Sequence, residues 1–190
     1  MPFVLLLGGA RSGKSALALE IAARAGEAVT VVATAEARDE EMERRIARHR
    51  ADRPAGWTTI EEPFALGEAV RLVSPPHFLI IDCLTLWVSN LLARGDDDDE
   101  AIAGAGREVA AALASRPSGA VVVSNEVGLG IVPANPVARR FRDVLGVVNA
   151  AFAARADRAA FLVAGRVCEL GPAAEFMEGI QWRASPASST

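Results

Sequence analysis

A glycine-rich segment near the start of the chain limits the possible folds more than any other feature. Residues 8–15 read GGARSGKS, which fits GxxxxGK[ST], and they follow an apolar run at residues 3–7. Glycines allow backbone N–H groups to approach an anion, the lysine pairs with β- and γ-phosphate oxygens, and the serine hydroxyl binds Mg²⁺. A helical pattern at residues 15–24 adds a helix N-terminus to the site. The predicted nucleotide-binding residues here are Gly8, Gly9, Ala10, Arg11, Ser12, Gly13, Lys14 and Ser15.

This segment predicts a nucleoside-triphosphate site but does not identify a reaction. The alternative is a glycine-rich turn between a strand and a helix that binds no ligand. Lys14 is the predicted catalytic cation, because an ammonium group stabilises the charge of a leaving phosphate.

Composition restricts the class of protein. Of 190 residues, 51% are hydrophobic and 23% are charged, which is typical of a globular chain. The net charge of −4 and an aromatic content of 5% argue against nucleic-acid binding, which favours basic faces and stacking aromatic side chains. No apolar run approaches the ~20 residues of a membrane span. Met1-Pro2 leads directly into the first strand and leaves no room for a signal peptide, so a cytoplasmic location is expected.

Short apolar runs alternate with helical patterns along the chain. This alternation predicts an α/β fold with a mainly parallel central sheet flanked by helices, with ligands at the carboxyl ends of the strands. Residues 1–172 are expected to form a single domain, and residues 173–190 a C-terminal extension that is disordered from 184. The two cysteines, Cys83 and Cys168, lack metal-ligand spacing and are expected to be reduced and buried. The predicted strands are 3–7, 29–34, 57–61, 78–82, 120–124, 159–163 and 167–170, and the predicted helices 14–24, 38–50, 64–73, 84–93, 100–115 and 137–155.

A carboxylate closes the strand predicted at residues 78–82. In a domain that also has a phosphate-binding loop, such an Asp82 holds Mg²⁺ directly or through water. Ser15 and Asp82 are therefore the predicted Mg²⁺ ligands. The alternative is that Asp82 caps the helix predicted to begin at Leu84.

His49 lies among five arginines, at positions 44, 45, 48, 50 and 53. On spacing alone, His49 is a half-buried helix residue that continues the face of Met42 and Ile46, and the arginines form a solvated basic face. However, nearby positive charge disfavours the imidazolium form, and a neutral imidazole is a nucleophile. Guanidinium groups suit phosphate oxygens, so His49 could attack an α-phosphate and carry a phosphoryl or nucleotidyl group covalently. The other histidine, His77, is assigned no role.

Further blocks of sequence follow the phosphate loop in a fixed order. Residues 33–34 read AT, residues 124–133 read SNEVGLGIVP, and residues 139–149 read RRFRDVLGVVN. Together with the intervening block, they resemble the bifunctional adenosylcobinamide kinase / adenosylcobinamide-phosphate guanylyltransferase family of cobalamin biosynthesis. The match runs from residue 3 to about residue 170, and the blocks after the generic phosphate loop are the specific ones. The intervening block contains Arg45, His49, Arg53, Pro54, Trp57, Thr59 and Glu61.

The resemblance implies an activity in two steps. Such enzymes phosphorylate adenosylcobinamide with ATP or GTP, then transfer GMP from GTP through a histidine to adenosylcobinamide phosphate, releasing pyrophosphate. By position that histidine is His49. The resemblance also implies a RecA-like P-loop fold, Mg²⁺ as cofactor, and a homotrimer. Beyond the phosphate loop, the implied nucleotide-binding residues are Ala33, Thr34, Ala35, Arg50, Ala51, Asp52, Arg53, Glu61 and Asp82, with Glu61 a candidate for guanine or ribose recognition.

Two other functions remain open at this point. One is a small-molecule kinase with a structural His49 and no covalent intermediate, and the other is a RecA-like nucleic-acid-dependent ATPase. Asp82 stands where some members of the family have glutamate, and both side chains bind Mg²⁺. Residues 125–135 are a candidate wall of the corrinoid site, because this loop should lie beside the nucleotide.

Overall fold

The computed structural model describes residues 3–95, 98–178 and 180, which form one sheet with helices on both faces. The strands are β1 Phe3–Gly8, β2 Val29–Ala33, β3 Thr58–Glu61, β4 Phe78–Asp82, β5 Ala120–Val123, β6 Arg158–Val163 and β7 Arg166–Leu170. The helices are α1 Lys14–Ala25, α2 Glu40–Ala51, α3 Leu66–Leu72, α4 Leu84–Arg94, α5 Asp99–Ala114, α6 Pro136–Ala153 and α7 Ala173–Glu178.

Among the described residues, seven strands lie in the order β3-β2-β4-β5-β1-β6-β7, and of their pairs only β6–β7 is antiparallel. Strands β2 and β5 are buried along their whole length, which explains why they read as continuous apolar runs. The register pairs Asp82 with Ala33 on one side and with Val123 on the other. The carboxyl ends of β1, β2, β4 and β5 therefore meet at one edge of the sheet, as predicted.

Two hydrophobic layers hold the helices against the sheet. On one face the buried rings of Phe3 and Phe152 meet edge to face, with centroids 6.3 Å apart. Trp87 is buried on the same side, and its indole Nε1 donates to the carbonyl oxygen of Phe64 at 2.8 Å. On the other face α1 packs small residues, Ala18 and Ala22, against the strands. Small side chains allow α1 to pack close to the sheet, and the phosphate loop leads directly into this helix.

The predicted α/β P-loop fold with a mainly parallel sheet is confirmed, and the observed differences concern its periphery. Helix α2 begins at Glu40 because the side chain of Asp39 accepts a hydrogen bond from the N–H of Met42 at 2.7 Å. The prediction of a buried Cys168 is wrong, because β7 is an edge strand and its residues are exposed. Helix α7 lies in a segment for which no helix was predicted. The disorder predicted from residue 184 lies outside the described residues.

None of the helices within residues 3–95, 98–178 and 180 is both long enough and apolar enough to cross a bilayer.

Candidate active site

The phosphate-binding loop joins β1 to α1 and presents the bare N-terminus of that helix. Its N-cap is Gly13, which has a positive φ of 100° and no side chain with which to cap the first N–H groups. At Gly8, where φ is 149°, a Cβ atom would lie 2.4 Å from the carbonyl oxygen of Leu162 on the neighbouring strand. Glycine is thus required at both positions for geometric reasons, and uncapped N–H groups at the helix start favour an anion.

Lys14 is folded back onto the loop. Its Nζ donates to the carbonyl oxygens of Gly8 and Gly9, at 2.9 and 2.7 Å, and to the hydroxyl of Ser12 at 3.2 Å. Burial lowers the pKa of Lys14, whereas the neighbouring Cys83 and Asp82 act in the opposite direction. The ammonium group therefore sits among loop oxygens at the position where phosphate oxygens are expected.

Helix α2 brings His49 to the end of β4. The imidazole Nδ1 lies 3.5 Å from Oδ2 of Asp82, and about a third of the His49 side chain is exposed. Met42, Ile46 and His49 are the half-buried residues of α2, so the predicted face is confirmed. Both interpretations of His49 are compatible with this geometry, since the half-buried face is also the face that meets Asp82.

One cavity connects the phosphate loop with the histidine. Its volume is about 470 Å³, and its floor is formed by residues of three central strands, Val31, Ile80 and Val123. Ser15 reaches it from α1, His49 from α2 and Asp82 from β4. Asp52 and Arg53, which follow α2, and Glu20 of α1 also contribute polar groups to the wall. The structure thus brings together five of the predicted site residues around one space.

A second cavity, of about 440 Å³, lies against β3 and shares Arg53 with the first. Arg50 forms an ion pair with Glu61 at its edge, and Arg53 donates to the hydroxyl of Thr59 at 3.1 Å. Burial lowers the pKa of Arg53, with Asp82 opposing the shift and Arg50 adding to it. Trp57 supplies an aromatic surface beside these charged groups. This combination of an aromatic ring, two guanidinium groups and a carboxylate suits a planar base or a ribose.

The other predicted nucleotide contacts differ in exposure. Gly9, Ala10, Arg11 and Ala51 are exposed, whereas Ala33 and Thr34 are buried. The hydroxyl of Thr34 is engaged internally with the backbone of Cys83. A direct contact of Thr34 with the nucleotide stays a prediction.

The loop after β5 is fixed at both ends. The N–H of Glu126 donates to Gly8 O at 3.2 Å, and the N–H of Asn125 donates to Thr85 Oγ1 at 2.7 Å. At the far end Asn135 caps α6, and Arg139 donates to the carbonyl oxygens of Pro133 and Ala134. Between these anchors the loop exposes four aliphatic side chains, namely Val127, Leu129, Ile131 and Val132.

Two residues that support the site, Asn149 and Asn90, were assigned no role from the sequence. Asn149 accepts from the Ser124 hydroxyl at 2.6 Å and donates to Asn125 O at 3.0 Å, which supports the loop after β5 from α6. Asn90 lies buried on α4, although an asparagine inside a helix is unfavourable unless its amide has partners. Such buried polar residues on apolar helix faces are the signal by which both positions could have been found.

The protein offers a limited set of oxygen ligands for a metal ion. The Ser15 hydroxyl and the Asp82 carboxylate face the same cavity, and both suit Mg²⁺. Across the part of the chain that the structure describes, no cluster of three or more His, Cys, Asp or Glu side chains could hold a metal by itself. Two protein oxygens fit an ion that takes its other ligands from phosphates and water.

Comparison with known proteins decides the family. Residues 4–170 match the model of the cobinamide kinase / cobinamide phosphate guanyltransferase family. The chain belongs to this family. The resemblance found in the sequence motifs is confirmed, as is the predicted enzyme class of kinase and nucleotidyltransferase.

Three curated relatives support the membership over nearly their whole length. The chain is 48% identical to the bifunctional adenosylcobalamin biosynthesis protein CobP of Pseudomonas aeruginosa, over 85% of this chain and 92% of that protein. It is 37% and 39% identical to the CobU proteins of the same description from Escherichia coli and Salmonella typhimurium, over 85% of this chain and 96% of each. A type III secretion system ATPase of known structure is 14% identical, covering 85% of this chain and 51% of that one, with a TM-score of 0.49, too low to carry an argument.

Proposed function

We propose that this chain is a bifunctional enzyme of adenosylcobalamin biosynthesis that uses His49 as a covalent nucleotide carrier. It phosphorylates adenosylcobinamide with ATP or GTP, and then transfers GMP from GTP to adenosylcobinamide phosphate. The observation that carries the proposal is that His49, Ser15 and Asp82 line one cavity beside the phosphate loop.

In the first step the hydroxyl oxygen of adenosylcobinamide attacks the γ-phosphorus of the nucleotide. A new bond forms between this oxygen and the γ-phosphorus, and the bond between the γ-phosphorus and the β-phosphate oxygen breaks. The nucleoside diphosphate leaves, and the hydroxyl proton passes to solvent. The uncapped N-terminus of α1 and Lys14 hold the phosphates, with Lys14 exchanging its loop carbonyl partners for phosphate oxygens.

In the second step an imidazole nitrogen of His49 attacks the α-phosphorus of GTP. An N–P bond forms, and pyrophosphate leaves as its bond to the α-phosphorus breaks. Because Nδ1 faces Asp82, Nε2 is the nitrogen available for attack. A phosphate oxygen of the corrinoid then displaces His49, which yields adenosylcobinamide-GDP.

Ser15 and Asp82 would hold Mg²⁺, which neutralises the charge that develops on the phosphate oxygens. Asp82 has two oxygens, of which Oδ2 lies near His49, so its carboxylate would also be able to serve as a ligand of the ion. Arg50, Arg53 and Glu61 bind the nucleoside end in the neighbouring cavity. A carboxylate at Glu61 can accept hydrogen bonds from guanine or ribose.

The aliphatic loop after β5 is the proposed wall for the corrinoid. The proposal is supported by the hydrogen bonds that join this loop to Gly8 of the phosphate loop and to Thr85 at the start of α4. Leu129 and Ile131 are 79% and 97% exposed, and large apolar side chains held in solvent mark binding surfaces. The proposal also includes a homotrimer, a cytoplasmic location and a domain boundary at residue 172, all of which rest on the family resemblance or on the sequence.

Covalent labelling tests the proposal. GTP that is radiolabelled at the α-phosphate should transfer its label to the protein, and the bond should be acid-labile and base-stable. Adding adenosylcobinamide with unlabelled ATP should discharge the label to a corrinoid product. Absence of protein-bound label, together with intact phosphorylation of adenosylcobinamide, would leave the small-molecule kinase with a structural His49 as the better function.

A further inference from the structure

A buried polar chain links α4 to the backbone around Asp82. Thr34 is 0% exposed, and its three polar groups all have partners inside the protein. Its N–H donates to Asp82 O at 3.1 Å. Its hydroxyl donates to Cys83 O at 2.7 Å and accepts from the N–H of Cys83 at 2.9 Å. Thr34 therefore forms hydrogen bonds with backbone groups on both sides of the peptide bond between Asp82 and Cys83.

The backbone carbonyl of Thr34 is in turn held by a side chain of α4. The side-chain amide of Asn90 donates to Thr34 O at 2.7 Å and to Pro63 O at 3.3 Å. Asn90 is buried on α4, which begins directly after Cys83. The ends of β2 and β4, the loop after β3 and helix α4 are thus joined by one set of hydrogen bonds.

These hydrogen bonds restrain the chain just beyond the end of β4, where pairing between strands has stopped. Pairing between strands fixes Asp82 against Ala33 and Val123, but the chain leaves the sheet at Cys83. Without another restraint, the direction of the Asp82 side chain would depend on a strand end, and strand ends are weakly held. The hydroxyl of Thr34 supplies the restraint, because it binds both the N–H and the carbonyl of Cys83.

We infer that Thr34 is a positioning residue, supported by Asn90, which sets the direction of the Asp82 carboxylate toward the metal-bound nucleotide. This inference rests on the proposed function, since it concerns the role of Asp82 there. It also gives Thr34 a task that needs no contact with the nucleotide.

The chain offers a matched set of variants. Thr34→Val keeps the shape of the side chain but removes the hydroxyl, and Thr34→Ser restores the hydroxyl. Thr30→Val is the control, because Thr30 is a buried threonine of β2, the strand that ends just before Thr34, and its hydroxyl bonds His77 at 2.9 Å, outside the site. Asn90→Ala provides a second variant, which removes the side-chain amide that holds the backbone of Thr34.

The first measurement is the affinity for α,β-methylene-GTP, which cannot guanylylate the protein, in the presence of Mg²⁺ and in the presence of EDTA. In Thr34→Val the gain in affinity due to Mg²⁺ should fall about tenfold, since groups that orient a metal ligand contribute 10–100-fold to metal affinity. Affinity in EDTA should stay within about twofold of wild type, because the phosphate loop is unchanged. Thr34→Ser and Thr30→Val should keep the wild-type gain, and Asn90→Ala should lose part of it.

The second measurement needs neither metal nor nucleotide. Hydrogen exchange at the Cys83 amide, followed by NMR, should be faster in Thr34→Val than in Thr34→Ser or Thr30→Val, because its acceptor is gone. A Thr34→Val protein with the wild-type gain from Mg²⁺ would overturn the positioning role, as would an equal loss in Thr30→Val. If wild type binds the analogue equally well with Mg²⁺ and with EDTA, the metal role of Asp82 fails, and with it this inference. Should Thr34→Val not fold, a wild-type gain from Mg²⁺ in Asn90→Ala would refute the role of the chain of hydrogen bonds.

Discussion

The imidazole of His49 and the carboxylate of Asp82 lie 3.5 Å apart, although one belongs to a surface helix and the other to a central strand. The contact couples the two groups that the proposed chemistry needs most. Asp82 faces Nδ1 with one oxygen, and in the proposed mechanism this contact orients the ring and leaves Nε2 for the phosphorus. The same carboxylate then has one oxygen left for a metal ion, so a change at Asp82 should affect both tasks.

Replacing His49 tests the nucleophile. His49→Ala should show no protein-bound label above background from GTP radiolabelled at the α-phosphate, because the attacking nitrogen is gone. Phosphorylation of adenosylcobinamide should remain, since that step does not use the imidazole. His77→Ala is the control, because His77 contacts Thr30 and is not among the residues that line the two cavities. Full labelling of His49→Ala would show that the assignment of the nucleophile is wrong.

Replacing the carboxylate tests the coupling. Asp82→Asn keeps the size of the side chain but removes its charge, so the rate of guanylylation at saturating GTP should fall by about a hundredfold. The dependence on Mg²⁺ concentration should shift to higher values at the same time. Asp143→Asn is a suitable control, because Asp143 pairs with Arg142 on α6. A variant that loses rate but keeps the wild-type response to Mg²⁺ would restrict Asp82 to orienting His49.

The sequence predicted the edge of the sheet at which the site lies, because strand ends and the phosphate loop are local patterns. It also predicted the half-buried face of α2, since helical spacing decides which residues share a side. The proximity of His49 to Asp82 did not follow from the sequence. It depends on how α2 lies against the sheet, and nothing in the spacing along the chain sets that orientation.

The state of individual side chains was the least predictable part. The family resemblance implied that Thr34 contacts the nucleotide, but in the structure Thr34 is buried, and Asn90 of α4 donates to its carbonyl oxygen. Lys14 was predicted to bind phosphate, and in the structure its ammonium group donates instead to the carbonyl oxygens of Gly8 and Gly9. Cys168 was predicted to be buried because free cysteines usually are, but it is exposed on the edge strand β7.

The exposed aliphatic loop gives a prediction for the corrinoid. Leu129→Ser should raise the KM for adenosylcobinamide about tenfold, because burying a leucine side chain contributes about 1.5–3 kcal/mol. Protein labelling by GTP should be unchanged. Leu72→Ser is the matched control, since Leu72 is 73% exposed at the end of α3.

The alternative occupant of this loop is a second copy of the chain. Sedimentation of wild type and Leu129→Ser over a range of concentrations distinguishes the two possibilities. A change of association state with an unaltered KM would assign the loop to an interface between subunits and would contradict the corrinoid role.

The buried ammonium group of Lys14 predicts how stability changes with pH. Burial lowers its pKa below 10.5 in the folded protein, so in the range between the two values the unfolded chain binds more protons. The contribution of Lys14 to stability therefore rises as pH increases through that range, and it is least favourable at neutral pH. Lys14→Met has no such group, so its free energy of unfolding relative to that of wild type should be highest at neutral pH and should fall as the pH rises toward 10.5.

Urea unfolding of both proteins across this range measures the effect. Burial raises the pKa of Cys83 from 9.0 to about 11, which lowers stability as pH increases through that interval. Because both proteins contain this thiol, its burial cancels when they are compared. Lys14 is the only lysine of the chain, so the remaining difference belongs to that amine and to its electrostatic coupling with Cys83. A difference that stays constant with pH would mean that the loop oxygens compensate the ammonium group fully, and it would contradict the lowered pKa of Lys14.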